Sequence, residues 1–153
     1  MENLETRIRE LYDSGYFCAE AVLIAIAEHK GIKSDLIPKI STGLCAGFAG
    51  TSGMCGALSG SILAVNMICG RNLGSDSKDQ NYSAVQQLIS LFEDRAGASN
   101  CTALMGCHLG TEEGRITFYD TNLIEKCKDY CVIAVDIAIS LIQNIADESR
   151  RPS

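Results

Sequence analysis

Eight cysteines are spread along the 153 residues, and no two of them have the C-x-x-C spacing. This absence excludes most zinc ribbons, bacterial ferredoxin runs, thioredoxin-like redox pairs and the ordinary C-x-x-C-H haem attachment. Any site that several cysteines share must therefore be assembled by tertiary structure. The fold has to bring together segments that are far apart in sequence.

Glycine and cysteine are most concentrated from Thr42 to Gly60, TGLCAGFAGTSGMCGALSG, and the chain then continues as an apolar segment to Cys69. A glycine-rich stretch before a long apolar run predicts an irregular connection that opens a buried helix. Cys55 would lie at the start of that helix, where free backbone N–H groups favour a negative charge. We therefore expect helix-start placement to favour the thiolate of Cys55 and to lower its pKa.

Apolar residues recur at helical spacing through most of the chain, and no segment shows sustained alternation of period two. The pattern predicts an all-α fold, a single-domain bundle of about six or seven helices over residues 1–153. The predicted helices are residues 2–14, 16–29, 35–44, 57–69, 83–95, 101–105 and 122–148. We expect residues 106–122 to form a loop.

The composition, 46% hydrophobic and 21% charged, is typical of one globular domain that needs no disulfides to build its core. A net charge of −6 argues against binding to nucleic acid or to an anionic membrane surface. The apolar segments Ala57–Cys69 and Cys131–Ala146 are shorter than the ~20 residues that a bilayer requires. We expect them to be core helices and expect no membrane insertion.

The N-terminal sequence MENLETRIRELYDSG is charged and amphipathic, without the basic and apolar regions of a secretory signal. This predicts a cytoplasmic location. In such a reducing compartment, the cysteines are expected to be free thiols rather than a disulfide framework.

Four cysteines are the candidate site residues. Cys18, Cys55 and Cys101 lie near predicted helix starts, and Cys127 lies on the predicted last helix. Three chemistries remain open for them. The thiolates could bind an iron–sulfur cluster for electron transfer, or two thiols could cycle with a disulfide, Cys55 attacking. Alternatively, four thiolates could hold a structural zinc ion in a non-enzymatic binding or interaction protein.

Other residues extend this hypothesis. Cys131 follows Cys127 by four positions, so both lie on one helix face and could bind one metal. Cys107 lies near Cys101 in sequence and is a further candidate ligand, with His108 beside it. Gly56 and Gly60 allow close backbone approach, either of a cofactor or of another helix. The remaining cysteines are also compatible with a role as small buried hydrophobic residues.

The sequence resembles a known family across nearly its whole length. The resemblance rests on four segments in order, which are GYFCAEAVL at Gly15–Leu23, CGALSG at Cys55–Gly60, CTALMG at Cys101–Gly106, and Cys127. This order resembles the C-GCAxxG-C-C family, described as redox-active proteins of about this length with four characteristic cysteines and a CGAxxG motif. Phe17 departs from the asparagine expected before the first cysteine, and Cys131 competes with Cys127 for the fourth position.

The resemblance implies that Cys18, Cys55, Cys101 and Cys127 are the four site residues. It implies redox chemistry but neither a cofactor nor a substrate. Iron–sulfur, zinc and a metal-free dithiol therefore remain alternatives. Whether the protein is an enzyme with a turnover reaction also remains open. We expect an unidentified protein as redox partner. The apolar helices also leave a homo-oligomer open.

Overall fold

Three helices form the centre of the computed structural model, which describes residues 3–152 and is all-α, as predicted. They are α2 (Cys18–Lys30), α4 (Gly56–Cys69) and α8 (Leu123–Arg150), and each packs against the other two. Around them lie α1 (Leu4–Asp13), a 3-10 helix (Lys39–Leu44), α3 (Cys45–Gly50), α5 (Asp79–Ala96), α6 (Cys101–Met105) and α7 (Glu112–Asp120). Residues 3–152 contain no β-strand, only an isolated bridge between Met54 and Asn100.

The most extensive helix contact joins α2 to α4. Small residues make it possible, because a Cβ atom built on Gly60 would lie only 2.6 Å from the carbonyl oxygen of Ala19. Ala19, Ala57 and Leu58 are completely buried at this contact. The close approach of the two backbones places the start of α2, with Cys18, beside the start of α4.

The longest helix is α8, which packs against most of the other helices. By length and composition it is the one helix among residues 3–152 that could cross a membrane, and 44% of its most apolar window is buried within the protein. It packs against α1, α2, α4, α5 and α7. These contacts are those of a core helix, and the absence of membrane insertion stays a prediction.

Two predictions of secondary structure were wrong. Residues 35–44 do not form an α-helix, because the chain turns through Pro38 and then continues as a 3-10 helix with Ser41 bonded back to the Pro38 carbonyl. The predicted loop 106–122 contains α7, whose start is capped by the Thr111 hydroxyl accepting from the N–H of Gly114. Only Gly114 and Phe118 are buried on α7, so it has no apolar stripe that periodicity could detect.

Several boundaries also differ. The first helix runs from Leu4 to Asp13, and residue 2 of the prediction lies outside the described residues. The helix predicted from residue 83 begins at Asp79, one turn earlier. The last helix extends to Arg150.

The glycine-rich connection contains a turn of left-handed helix. Residues Ala46, Gly47, Phe48 and Ala49 all have φ between 57° and 67° with positive ψ. Each non-glycine residue in this conformation costs about 1–2 kcal/mol. Gly47 is the position that must lack a side chain, since a Cβ there would lie 2.6 Å from Cβ of Cys101.

We expect Ala49→Gly to stabilise the protein by about 1 kcal/mol, because Ala49 is exposed and its left-handed backbone strain would be relieved. Urea unfolding measures the change. Ala146→Gly in the right-handed α8 is the matched control and should destabilise by about 1 kcal/mol. Equal losses for both variants would show that the left-handed turn carries no strain.

Candidate functional site

Five cysteines line one apolar pocket with a volume of about 170 Å³. This exceeds the engineered cavity of ~150 Å³ that binds benzene in another protein. The thiols of the pocket are those of Cys18, Cys45, Cys55, Cys101 and Cys127. The other lining residues are Tyr12, Phe17, Ala46, Gly56, Leu104, Met105, Leu109, Arg115, Phe118 and Tyr119. The fold thus brings together all four cysteines that the sequence singled out, and adds a fifth.

Cys18 is at the centre of one group of thiols. It is the first residue of α2, and its thiol shares the pocket lining with those of Cys45 and Cys127, which are near enough to shift its pKa. The backbone N–H of Ala46 acts to lower the pKa of Cys18, and those of Ala19 and Glu20 act to lower the pKa of Cys45, but for both thiols the opposing effects are larger. Cys45 comes from the segment after the 3-10 helix, and its thiol donates to Ser41 O at 3.9 Å.

Cys55 and Cys101 are aligned by the short antiparallel bridge. The N–H of Cys55 donates to Ser99 O at 2.7 Å, and the N–H of Cys101 donates to Gly53 O at 3.0 Å. Cys55 is the N-cap of α4, and Cys101 is the first residue of α6. The bridge fixes both cysteines at their helix starts, as the sequence predicted, and turns both toward the pocket.

Tyr12 and Cys131 lie beside the thiol of Cys127. The Tyr12 hydroxyl lies 3.1 Å from the Cys127 sulfur and 3.4 Å from the Cys131 sulfur. Cys131 is fully buried, lies outside the pocket lining, and directs its thiol at the carbonyl oxygen of Cys18 at 3.8 Å. Of the two candidates for the fourth site cysteine, Cys127 is the one that faces the pocket.

The other predicted residues have distinct positions. Gly56 lines the pocket, where a Cβ would overlap the Cys18 sulfur, whereas Gly60 contacts the backbone of α2. Cys107 is half-buried near Cys101 but does not line the pocket. His108 accepts the N–H of Gly110 at 2.9 Å. A cofactor contact for Gly56 or Gly60 remains a prediction.

Cys45 is a pocket residue that the sequence left among the remaining cysteines, either a small core residue or a member of a larger set. It directly follows the helix predicted over residues 35–44, so it does not lie at a predicted helix start, and no motif marks it. The available signal was its position inside the glycine-rich stretch, ten residues before Cys55. Its place in the pocket depends on the 3-10 helix and the left-handed turn, neither of which local periodicity predicts.

The expected lowering of the Cys55 pKa was wrong. Burial raises the pKa of this thiol to about 11, although the N–H groups of Leu58 and Ala57 act in the opposite direction. Burial likewise raises the pKa of Cys101. Contact with Cys127, together with burial, raises the pKa of Cys18. Desolvation of the thiolate therefore outweighs the helix-start effect in this pocket.

We expect the alkylation of Cys55 by iodoacetamide in metal-free protein to be slow at neutral pH. The rate should rise about tenfold per pH unit until the pH reaches about 11, because only the thiolate reacts. Peptide-resolved mass spectrometry measures this rate. The same cysteine in urea-unfolded chain is the control and should titrate near the ordinary ~8.5. A folded-state midpoint at or below that value would contradict the desolvation argument.

The pocket offers a donor set of one kind. All its candidate ligands are sulfur, with no carboxylate or imidazole in the lining, and such a set suits either an iron–sulfur centre or a four-thiolate zinc ion. Within residues 3–152, no three Cys, His, Asp or Glu side chains converge closely enough to hold a single metal ion. A preformed mononuclear zinc site would require such convergence at ~2.3 Å from zinc to each sulfur. The iron–sulfur, zinc and metal-free alternatives all stay predictions.

Comparisons with known proteins identify the family of this chain. The sequence model of the family described as "Putative redox-active protein (C_GCAxxG_C_C)" matches residues 16–141, a range that contains all five pocket cysteines. An "Uncharacterized protein" from Archaeoglobus fulgidus is 24% identical over 152 residues, covering 94% of this chain and 95% of that protein. No solved structure matches the chain.

Proposed function

The chain belongs to the C_GCAxxG_C_C family, whose members are described as redox-active, and from that premise we propose that it is an electron-transfer protein. Its thiol pocket would hold an iron–sulfur cluster through Cys18, Cys55, Cys101 and Cys127. The observation that carries this proposal is the gathering of five thiols in one apolar pocket. When bound, the cluster would supply one-electron chemistry to a partner protein.

Burial of the thiols supports a ligand role over a role as free nucleophiles. The raised pKa values at Cys18, Cys55 and Cys101 mean that the metal-free pocket holds protonated thiols near neutral pH. Thiols of this kind are poor nucleophiles, because the thiolate is the reactive form. Binding to a metal removes this obstacle, since a coordinated thiol loses its proton outright.

The surrounding residues support the same role. The Tyr12 hydroxyl reaches the Cys127 sulfur and can donate a hydrogen bond to it as a thiolate, which stabilises the negative charge. Arg115 lines the pocket and is the charged residue in its wall, with its guanidinium donating to Leu109 O at 3.2 Å. Leu104, Met105 and Phe118 are buried apolar residues of the same lining.

Anaerobic purification followed by iron and sulfide analysis tests the proposal. We expect a visible absorption spectrum and stoichiometric iron and sulfide in the wild-type protein. Cys55→Ser should lower bound iron by about tenfold or more, because the N-cap ligand of α4 is lost. Cys69→Ser is the matched control, since this cysteine lies at the opposite end of α4, outside the pocket, and should leave iron content unchanged.

Two results would contradict the proposal. One is protein with stoichiometric zinc and no visible absorption, which would favour the structural site. The other is metal-free protein, under strictly anaerobic handling, whose thiol titre falls on mild oxidation and recovers with reductant. In that case a dithiol would be the functional unit.

A further inference from the structure

Arg115 brings a positive charge to the wall of the thiol pocket. Its Nη1 atom donates to Leu109 O at 3.2 Å. Among residues 3–152, no ion pair joins Arg115 to an acidic side chain, whereas Arg7 and Arg9 each form several. The edge of the guanidinium formed by Nε and Nη2 also has no hydrogen-bond partner among these residues. This edge can bind a carboxylate through two parallel hydrogen bonds.

The wall beside Arg115 is apolar. Phe118 is buried, and its ring centroid lies 5.1 Å from that of Tyr119 in an edge-to-face arrangement, with both residues in the lining. Leu104 and Met105 add buried aliphatic surface. In the part of the chain that the structure describes, no Asp or Glu lines the pocket. An anion that enters therefore meets one cation and an apolar interior, without an acidic side chain to repel it.

The size of the pocket limits what it can hold. Its volume of about 170 Å³ is close to that of a cavity of ~150 Å³ that binds a single benzene molecule. A molecule with one six-membered ring, or an aliphatic chain of similar volume, therefore fits inside. Phe17 and Tyr119 are 47% and 59% exposed and mark the side that is open to solvent, through which a ligand can enter.

From this geometry we propose that the metal-free pocket binds a small apolar carboxylate. The carboxylate group lies on the free edge of the Arg115 guanidinium, whose planar fork matches it in shape and charge. The hydrocarbon part packs against Leu104, Met105 and Phe118, where burial of its apolar surface contributes to affinity. The inference goes beyond the proposed electron transfer and does not rest on it, because it concerns protein without a metal.

The consequence is competition for the pocket. The five thiols and Arg115 line the same volume, and a space that holds one benzene-sized molecule leaves no room for a second occupant. A carboxylate bound before metal loading would therefore delay the loading by mass action. The concentration of a small organic acid would then affect how much of the protein is able to accept a metal.

Isothermal titration calorimetry of the full-length protein, freed of metal with a chelator and kept reduced, tests the proposal. The probes are sodium benzoate, its neutral isostere benzamide, and acetate, which carries the charge without the ring. We expect benzoate to bind about tenfold more tightly than either of the others. The physical reason is that only benzoate satisfies both the guanidinium and the apolar wall.

NMR spectroscopy of the same sample locates the bound probe. The methyl signal of Met105, which lines the pocket, should shift as benzoate is added. The methyl signal of Met67 is the internal control, because this residue lies on α4 outside the pocket lining and should not shift.

Two arginine variants sharpen the test. Arg115→Gln should weaken benzoate binding by about tenfold and leave benzamide binding within about twofold of the wild type, because only the anion uses the guanidinium. The side chain is exposed, so its replacement should preserve the fold. Arg71→Gln is the matched control. Arg71 is also exposed and also donates from Nη1 to a backbone oxygen, that of Gly74 at 2.9 Å, but it lies outside the pocket.

Three results would overturn the proposal. They are equal affinities of the wild type for benzoate and benzamide, undiminished benzoate binding in Arg115→Gln, and the absence of both heat and a Met105 shift with benzoate. The outcome is separable from that of the proposed function. Benzoate binding by protein that never contains iron would support this inference and contradict electron transfer through a cluster. Iron-containing protein whose metal-free form does not bind benzoate would do the reverse.

Discussion

Gly60→Ala is expected to destabilise the protein by about 2 kcal/mol and to lower its melting temperature by about 5 °C. The new Cβ would lie 2.6 Å from the carbonyl oxygen and 2.9 Å from Cα of Ala19. Both atoms belong to the backbone of α2, so no side-chain rotation can relieve the overlap. The cost exceeds the gain of ~0.5–1 kcal/mol that alanine brings to a helix interior.

Gly43→Ala is the matched control, because a Cβ at Gly43 would meet no atom within 4 Å. Its free energy of unfolding should stay within about 0.5 kcal/mol of the wild type. Chemical denaturation of both variants measures the difference. If Gly60→Ala were as stable as Gly43→Ala, the close packing of α2 on α4 would not hold the start of α2 in place.

Gly56→Ala is expected to lower bound iron by about tenfold or more while largely preserving the fold. Here the added Cβ would overlap the sulfur of Cys18, which is a side chain and can move. The next contacts, with Leu44 O at 3.2 Å and Ala19 N at 3.3 Å, are tight but tolerable. The thiol would therefore be pushed away from the position that it shares with the other pocket cysteines.

Iron analysis after anaerobic purification, together with urea unfolding, measures the two effects separately. We expect Gly56→Ala to lose iron with a loss of about 1 kcal/mol in stability, and Gly60→Ala to lose mainly stability. In metal-free protein, the alkylation rate of Cys18 should change in Gly56→Ala but not in Gly43→Ala. Full iron content and an unchanged Cys18 rate in Gly56→Ala would show that this glycine does not position the thiol.

Much of the fold could be predicted from the sequence because local sequence patterns indicate its main helices. The run from Ala57 to Cys69 is apolar throughout, and α4 follows it almost residue for residue. The positions of the cysteines at helix starts could also be predicted. For example, Asn100 is a recognisable N-cap residue for the helix that Cys101 begins. Such features depend only on residues that are close together in the sequence.

The features that were missed depend on contacts between distant segments. Ala46, Phe48 and Ala49 have no local preference for left-handed backbone, and the turn is fixed by packing of Gly47 on Cys101. The position of Cys45 follows from this turn. A helix start could be located in the sequence, but the burial that raises the pKa of Cys55 could not.

The pocket joins residues from Tyr12 to Cys127, so it exists only when nearly the whole chain is folded. Any molecule that occupies it in the native state alone must stabilise the entire protein, by about 2.7 kcal/mol at a concentration one hundred times its dissociation constant. Empty chains would unfold more often and would be degraded faster by cellular proteases. The supply of whatever fills the pocket would thereby set how much of this protein a cell retains.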